Sequence, residues 1–445
     1  MIMKRIARAG RGALVTFIGV FALTACELEV LNPGRILDED LTTRDLMPIL
    51  VSGASAEFNH IGDFYAFDIA RLTDDLAGTG SYFSTGQYRR GVFDNENSEG
   101  HWEQAHEAAW AAGSAWERLQ EVLEGEANSF DGSARLFLLM GLAHRMLGEN
   151  FCDLVYDKGP LQPRTAAFDS AIVALNQSIT IGNAAGASAF VTAAHGGIAQ
   201  ANVGLGNWSA AVQAAAQVPT DFVHYAIYHQ TANSNGVWNE SWGRAEVGLW
   251  ATPAQTVFDG DPRAPYTICG AWDDPSGPSW GEVTPTGDCT GQGSGAHQGA
   301  DGLTAHYRQN KYPEQGSDVP IVSGTEMRLI EAEAALVGGD LATFTAKVNE
   351  VRAFYGADPI DQPASVGAME FPNAQDDAMS ILDRERYLTL WIEGRRLFDL
   401  DRWQHPFLQG GTLIGPGAEP RVSCMPVPEI ECTLNPEIQN SSVCT

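Results

Sequence analysis

Along this chain, stretches in which apolar residues return every three or four positions alternate with stretches that hold no period. From Ser98 to about Val218 the sequence is rich in Ala and Leu and is broken at intervals by Gly, Pro and Asn, which predicts helix hairpins. One segment runs from Ser133 to Leu147 and stops at Gly148. The next begins after Pro163 and stops near Gly182, a third spans Ala187 to Leu205, and Gly206-Asn207-Trp208 opens a fourth. Small residues between paired helices, with Leu-Gly turns at Met146-Leu147-Gly148 and Gly204-Leu205-Gly206, suggest tetratricopeptide-like pairs. Helical spacing returns at Glu326 to Leu336, at Leu341 to Tyr355, and from Ala378 to Trp403 as one further helix. Between these parts, Asn233 to Ser323 is rich in Trp, Gly, Pro and Asp without periodicity and reads as long loops, which at this length are usually functional. The tail from Leu408 is Gly/Pro-rich and irregular. No linker divides the chain. The expectation is an all-α fold in one domain over 26–445, with helical parts at about 98–218 and 323–403 and a loop-rich, ligand-facing segment at about 233–322.

The first residues change the picture from fold to compartment. Lys4, Arg5, Arg8 and Arg11 precede an apolar run, Ala13 to Leu23, too short to span a bilayer as a helix, so 1–25 reads as a secretory signal. Leu23-Thr24-Ala25-Cys26 resembles a bacterial lipobox, which makes Cys26 a lipid anchor; an ordinary secreted protein cut near Ala25 is the plainer alternative. Loss of 1–25 removes four basic and no acidic residues, taking the formal charge from -29 to -33. With acidic residues about twice as numerous as basic ones, nucleic acid is excluded as a natural partner, since phosphate must be neutralised by Lys and Arg. Six cysteines remain beyond Cys26. In an exported protein they allow disulfides, and the short-loop pairs Cys269 with Cys289 and Cys424 with Cys432 are favoured.

Catalytic and metal motifs fail on inspection. His106-Glu107 begins an HExxH pattern, but Trp110 stands where the second ligand belongs. Gly277-Pro278-Ser279-Trp280-Gly281 matches GxSxG in loop sequence rather than at a strand-turn-helix, and Gly291 to Ala296 matches a relaxed dinucleotide pattern without its strand. Carboxylate pairs are uninformative in a chain with 56 acidic residues. No catalytic residue, metal or cofactor is assigned.

In the C-terminal third, "MRLIEAEAALVGGDLATFTAKVNEVRAFYG" and "ILDRERYLTLWIEGRRLFDLDRW" resemble the most characteristic stretches of the SusD/RagB family. "LNPGRILDEDL" after Cys26, "FDGDPR" at Phe258 to Arg263, "NKYPE" at Asn310 to Glu314 and "CMPVPEIECTLNPEIQN" near the end follow in the family's order. The resemblance implies helix pairs packed against a loop-rich half, in a lipoprotein that lies as a lid over a SusC-like TonB-dependent barrel and hands it glycans or, in some members, peptides. Cys26-Glu27-Leu28-Glu29 resembles the acidic signal that directs such lipoproteins to the cell surface.

The residues carry a reading of their own. Arginines interleaved with apolar residues between Arg384 and Arg402 predict partly buried Arg-carboxylate pairs, with Glu331 or Glu333, Asp399 and Asp401 as partners. Asp74 and Asp75 are expected to brace the adjoining turn. Sugars stack their C–H faces on aromatic rings, and five of eleven tryptophans, Trp238, Trp242, Trp250, Trp272 and Trp280, fall in the loop-rich segment near Asn239, Arg244, Asp273 and Asp274. Trp102, Trp110, Trp116 and Trp391 sit on helices as packing residues. No Trp lies between Cys26 and Trp102, so an early platform must use Tyr82, Phe83 or Tyr88, a departure from the family's sugar-binding pattern that leaves the ligand class open. The candidate ligand residues are therefore Tyr82, Phe83, Tyr88, Trp238, Trp242, Trp272 and Trp280. The expected function is oligosaccharide capture; oligopeptide capture, a protein-binding helical scaffold and a hydrolase are the rivals.

Overall fold

In the computed structural model the described residues are 41–272, 282–286, 289, 297–369, 377–410 and 420–444. Cys26, Asp273, Asp274, Trp280 and the GxSxG and Gly291–Ala296 patterns lie outside them. The chain runs through α1 (Met47–Leu72), α2 (Phe83–Arg89), α3 (Glu99–Leu123), α4 (Asp131–Asn150), α5 (Thr165–Ala185), α6 (Ser188–Gly204), α7 (Trp208–Ala215), α8 (Gly324–Val337), α9 (Leu341–Phe354), α10 (Ala378–Thr389) and α11 (Arg396–Arg402). Strand occurs among the described residues as two-stranded antiparallel ribbons. The fold is mostly helical, as expected, and Arg44–Thr445 form one compact unit.

Successive helices from α3 to α7 pack as neighbours, and α8 packs on both α7 and α9. Small residues set the approach. A Cβ on Gly141 of α4 would lie 2.5 Å from the Leu175 side chain of α5, so the two backbones can close only because that position is bare. Gly148 is a correction: it lies inside α4 rather than at a turn, and leaves room for the Phe168 ring 2.8 Å from where a Cβ would stand. Gly206, with φ +68°, does turn the chain between α6 and α7. Helix starts follow local chemistry, with Ser323, Asp340 and Asp377 accepting hydrogen bonds from the amides of Glu326, Thr343 and Ser380.

Other expectations are corrected. The stretch before Ser98, outside the helical parts expected at about 98–218 and 323–403, contains the 26-residue α1, whose Phe58, Ile61, Tyr65 and Ile69 enter the main core. Its apolar face is interrupted by buried Asp63, Asp68 and Arg71, which hides the helical period. The single helix expected from Ala378 to Trp403 is two, because the chain turns over at 390–395 with Ile392 at φ +55° and Gly394 at φ +70°. That turn docks on 73–76: the Trp391 indole donates to the Asp75 carbonyl at 3.1 Å, the Tyr387 hydroxyl to the Asp74 carbonyl at 3.1 Å, and the Ile392 amide to Asp75 Oδ2 at 3.2 Å. Trp110, expected to pack, is exposed, while Trp102 and Trp391 are buried.

The expected ion pairs exist and reach further than the sequence implied. Arg396 holds Asp74 through two bonds of 2.7 and 2.8 Å and Asp383 at 2.5 Å, so the 73–76 turn, α10 and α11 share one guanidinium. Arg386 grips Asp399 at 2.7 and 3.0 Å, Arg402 pairs with both Glu333 and Asp399, and Arg395 lies between Glu149 at 2.9 Å and Glu326 at 3.0 Å. Glu331 pairs instead with Arg328 and Lys347, and Asp401 with Arg164. Of the two favoured disulfides, Cys269–Cys289 forms, but Cys424 bonds Cys152 and Cys432 bonds Cys444. The amide of Cys152 donates to the Met425 carbonyl, which brings the tail to the end of α4 and Cys424 within reach of Cys152.

Candidate functional site

The loop-rich segment is fastened to α1 from below. Asp63 Oδ2 accepts from the Gly236 amide at 2.5 Å, the Tyr228 hydroxyl lies 3.1 Å from Oδ1, and burial pushes this carboxyl up to about 6. Asn235 then caps the turn over Gly236–Trp238 by accepting from the Trp238 amide at 2.9 Å. Trp238 follows this turn inward. It is buried and donates to the Pro313 carbonyl at 3.1 Å, so it plugs the loops rather than stacking on a ligand, which corrects the reading from sequence.

The next turn, Asn239–Gly243, is wider than an α-helical one and leaves Trp242 half-buried. The indole of Trp242 donates to the Gln309 carbonyl at 2.8 Å, and the Arg308 guanidinium lies 3.5 Å from the centre of its ring. Arg308 is on the ribbon in which Tyr266–Ile268 pairs with Tyr307–Gln309; Tyr266 and Tyr307 are half-buried, their rings 6.0 Å apart. Beside Trp242, Arg244 lies 3.6 Å from Glu240 and 4.8 Å from the centre of the Tyr82 ring. Burial raises the Glu240 carboxyl above its ordinary value, and its Oε2 has no partner.

Tyr82 and Phe83 reach this place through a tight junction. The Ser81 amide donates to Glu246 Oε2 at 3.0 Å and the Thr79 amide to the Glu246 carbonyl at 2.9 Å, while a Cβ on Gly80 would stand 1.8 Å from that carboxylate oxygen. Glycine is therefore required there. Tyr82 is exposed and Phe83, at 84 % exposure, has no packing of its own. Tyr88 is the second correction: it is buried between Arg71, 4.2 Å from its ring centre, and Phe93 at 5.0 Å. Trp272 is half-buried, meets Trp250 edge-on with ring centres 4.5 Å apart, and donates to the Leu303 carbonyl at 3.2 Å. Exposed Ile268 and Leu303 extend this apolar surface.

Of the candidate residues, the structure thus places Tyr82 beside Arg244, two residues from half-buried Trp242, leaves Phe83 exposed next to Tyr82, sets Trp272 beside Trp250, and buries Tyr88 and Trp238. Sequence reasoning missed Arg308, Tyr266 and Tyr307; three-residue strands carry too little pattern to announce themselves. Elsewhere, a cleft of about 960 Å³ lies against the Phe258–Arg263 motif, and several of its polar groups already have partners: Arg352 and Arg384 in Glu385, Asp261 in Arg263, and Asp259 in the Tyr266 hydroxyl. Among the described residues no group of His, Cys, Asp and Glu converges in a way that could hold a metal ion, and no helix is long and apolar enough to cross a membrane.

The comparisons agree with this architecture. Residues 272–435 match the model of the SusD family. A SusD-like protein from Bacteroides fragilis NCTC 9343 is 12 % identical with a TM-score of 0.63, over 90 % of this chain and 97 % of that one. A SusD-like carbohydrate binding protein from the same organism is also 12 % identical, with a TM-score of 0.62 over 89 % and 99 % of the two chains. A chitin-binding protein is 13 % identical, with a TM-score of 0.59 over 86 % and 93 %. At such identities the likeness is one of fold, and the class it defines is the SusD-like helical fold. The chain thus has a SusD-like fold, and its residues 272–435 are similar to the SusD family. Among curated proteins no relative matches.

Proposed function

We propose that this protein is a surface-exposed outer-membrane lipoprotein that captures an oligosaccharide and delivers it to a SusC-like, TonB-dependent transporter, without chemistry of its own. The observation that carries the reading is the face on which Tyr82, Phe83 and Trp242 are presented with Arg244 and Arg308, since exposed rings beside hydrogen-bonding groups are what a sugar's apolar faces and hydroxyls require. In this reading Cys26 carries the lipid, 26–445 is the working domain, and Trp272 and Trp280 extend the platform. Three solved relatives are described as carbohydrate, chitin or sugar binding proteins, which favours sugar over peptide.

The test is binding of the full-length chain, purified in detergent, to panels of oligosaccharides and peptides, followed by tryptophan fluorescence. Binding of a glycan class that quenches fluorescence and weakens on Trp242→Ala supports capture at this face. Peptide binding alone would replace the ligand class, and no binding at all would favour a protein-binding scaffold. For the anchor, Cys26→Ala should move the protein from the membrane fraction to the soluble one; an unchanged membrane fraction rejects it.

A further inference from the structure

Arginine is treated in two ways in this molecule. In the helical half, the buried guanidiniums of Arg386, Arg395 and Arg396 and the partly buried one of Arg402 each lie against two carboxylates, as expected when charge is removed from water. Arg308 is half-buried, yet no described carboxylate pairs with it and its buried Nε has no hydrogen-bond partner. One face of the guanidinium is covered by Trp242 at 3.5 Å. Of the acidic side chains of the same face, Glu246 is engaged with Ser81, while Glu240 lies 3.6 Å from Arg244 through Oε1 and its Oε2 has no partner. His306, two residues away and buried, does not relieve the charge either; burial, with Arg308 adding to it, holds its imidazole down at about 4 and keeps it neutral.

A desolvated cation stacked on a platform ring and lacking a protein counterion is a place prepared for a ligand's negative charge. A guanidinium suits that role because its planar fork matches carboxylate and sulfate oxygens. In a chain of formal charge -29, the long-range field repels anions, so such a ligand must be held by a local cation rather than drawn in by the surface as a whole. Building on the oligosaccharide reading above, we propose that the ligand is an anionic oligosaccharide, bearing carboxylate or sulfate groups, and that Arg308 pairs with one of those groups while the sugar stacks on the neighbouring rings.

The experiment uses the full-length chain in detergent and matched pairs of four-unit oligosaccharides: galacturonate against its methyl ester, and sulfated against desulfated galactan. At least one charged member should bind about tenfold or more tightly than its neutral partner, and which pair shows it separates carboxylate from sulfate. Arg308→Met should abolish that preference, Arg308→Lys should keep part of it, and both should unfold at the wild-type denaturant midpoint. Equal binding of charged and neutral members, or a preference that survives Arg308→Met, overturns the inference and leaves the capture reading standing. Binding of neither member of any pair, nor of any other oligosaccharide, overturns both.

Discussion

The helical half around α8 to α11 and the loop-rich face around Trp242 use the same residue types to opposite ends. In the first, Trp391 is fully buried, Arg386, Arg395 and Arg396 are buried, Arg402 is partly so, and all four lie against carboxylates. In the second, Tyr82 and Phe83 are exposed, Trp242 is partly so, and Arg244 and Arg308 stack on rings. The difference is one of satisfaction. Groups whose partners are all supplied by the chain hold the fold together, and groups left with an open face or an unused donor are free to meet something else.

That contrast can be broken at several points. Arg396→Met leaves Asp74 and Asp383 buried without their shared cation and should cost about 3–5 kcal/mol in urea unfolding. A loss within 1 kcal/mol, on the scale of an exposed pair, would erase the distinction between the two regions. Cys152→Ser opens a bridge of sequence separation 272 and should cost about 4 kcal/mol in the same measurement, without changing ligand affinity.

Acid and base should act with opposite sign on the two regions. At Asp399 burial opposes the charge, but Arg386 and Arg402 overcome it and hold the carboxyl down at about 2. Its folded value lies below the unfolded 3.8, so its contribution is present above about pH 4 and is lost as pH falls through about 2. Asp63, under the loops, is pushed up to about 6 by burial, so its contribution is complete below about pH 4 and is lost as pH rises through about 6. Between about pH 4 and 7 the wild type should lose on the order of 2 kcal/mol that Asp63→Asn does not lose, as read from denaturant midpoints. Trp242→Ala should weaken oligosaccharide binding about tenfold, as titrated by calorimetry. Phe83→Ala is the mildest, with a stability change within about 0.5 kcal/mol and a several-fold loss of affinity. If Phe83→Ala destabilised like a core truncation, the ring would be structural after all.

Much of the helical half was legible because its signals are local. Helix periods at α4 to α6, α8 and α9, small residues between paired helices and the family's strings in the C-terminal third all sit within a few turns of chain. The site was legible only as a neighbourhood. Clustering of tryptophans in 233–322 marked the region, but Trp238 and Trp242 are four residues apart and point to opposite fates, one donating to Pro313 inside and the other carrying Arg308 outside. No spacing rule separates them, since the turn between them is wider than an α-helix.

The amino-acid sequence by itself pointed to the helical class, the resemblance over 272–435, the Cys269–Cys289 bridge and the concentration of aromatic residues in the long loops, because each depends on residues close together along the chain. Tertiary structure decided the break at 390–395, the partners of Cys152 and Cys432, and which rings and guanidiniums face outward. Those outcomes depend on what lies opposite each group once distant segments have packed: whether a carboxylate such as Asp74 reaches Arg396 across more than three hundred residues, or whether, among the described residues, no carboxylate reaches Arg308.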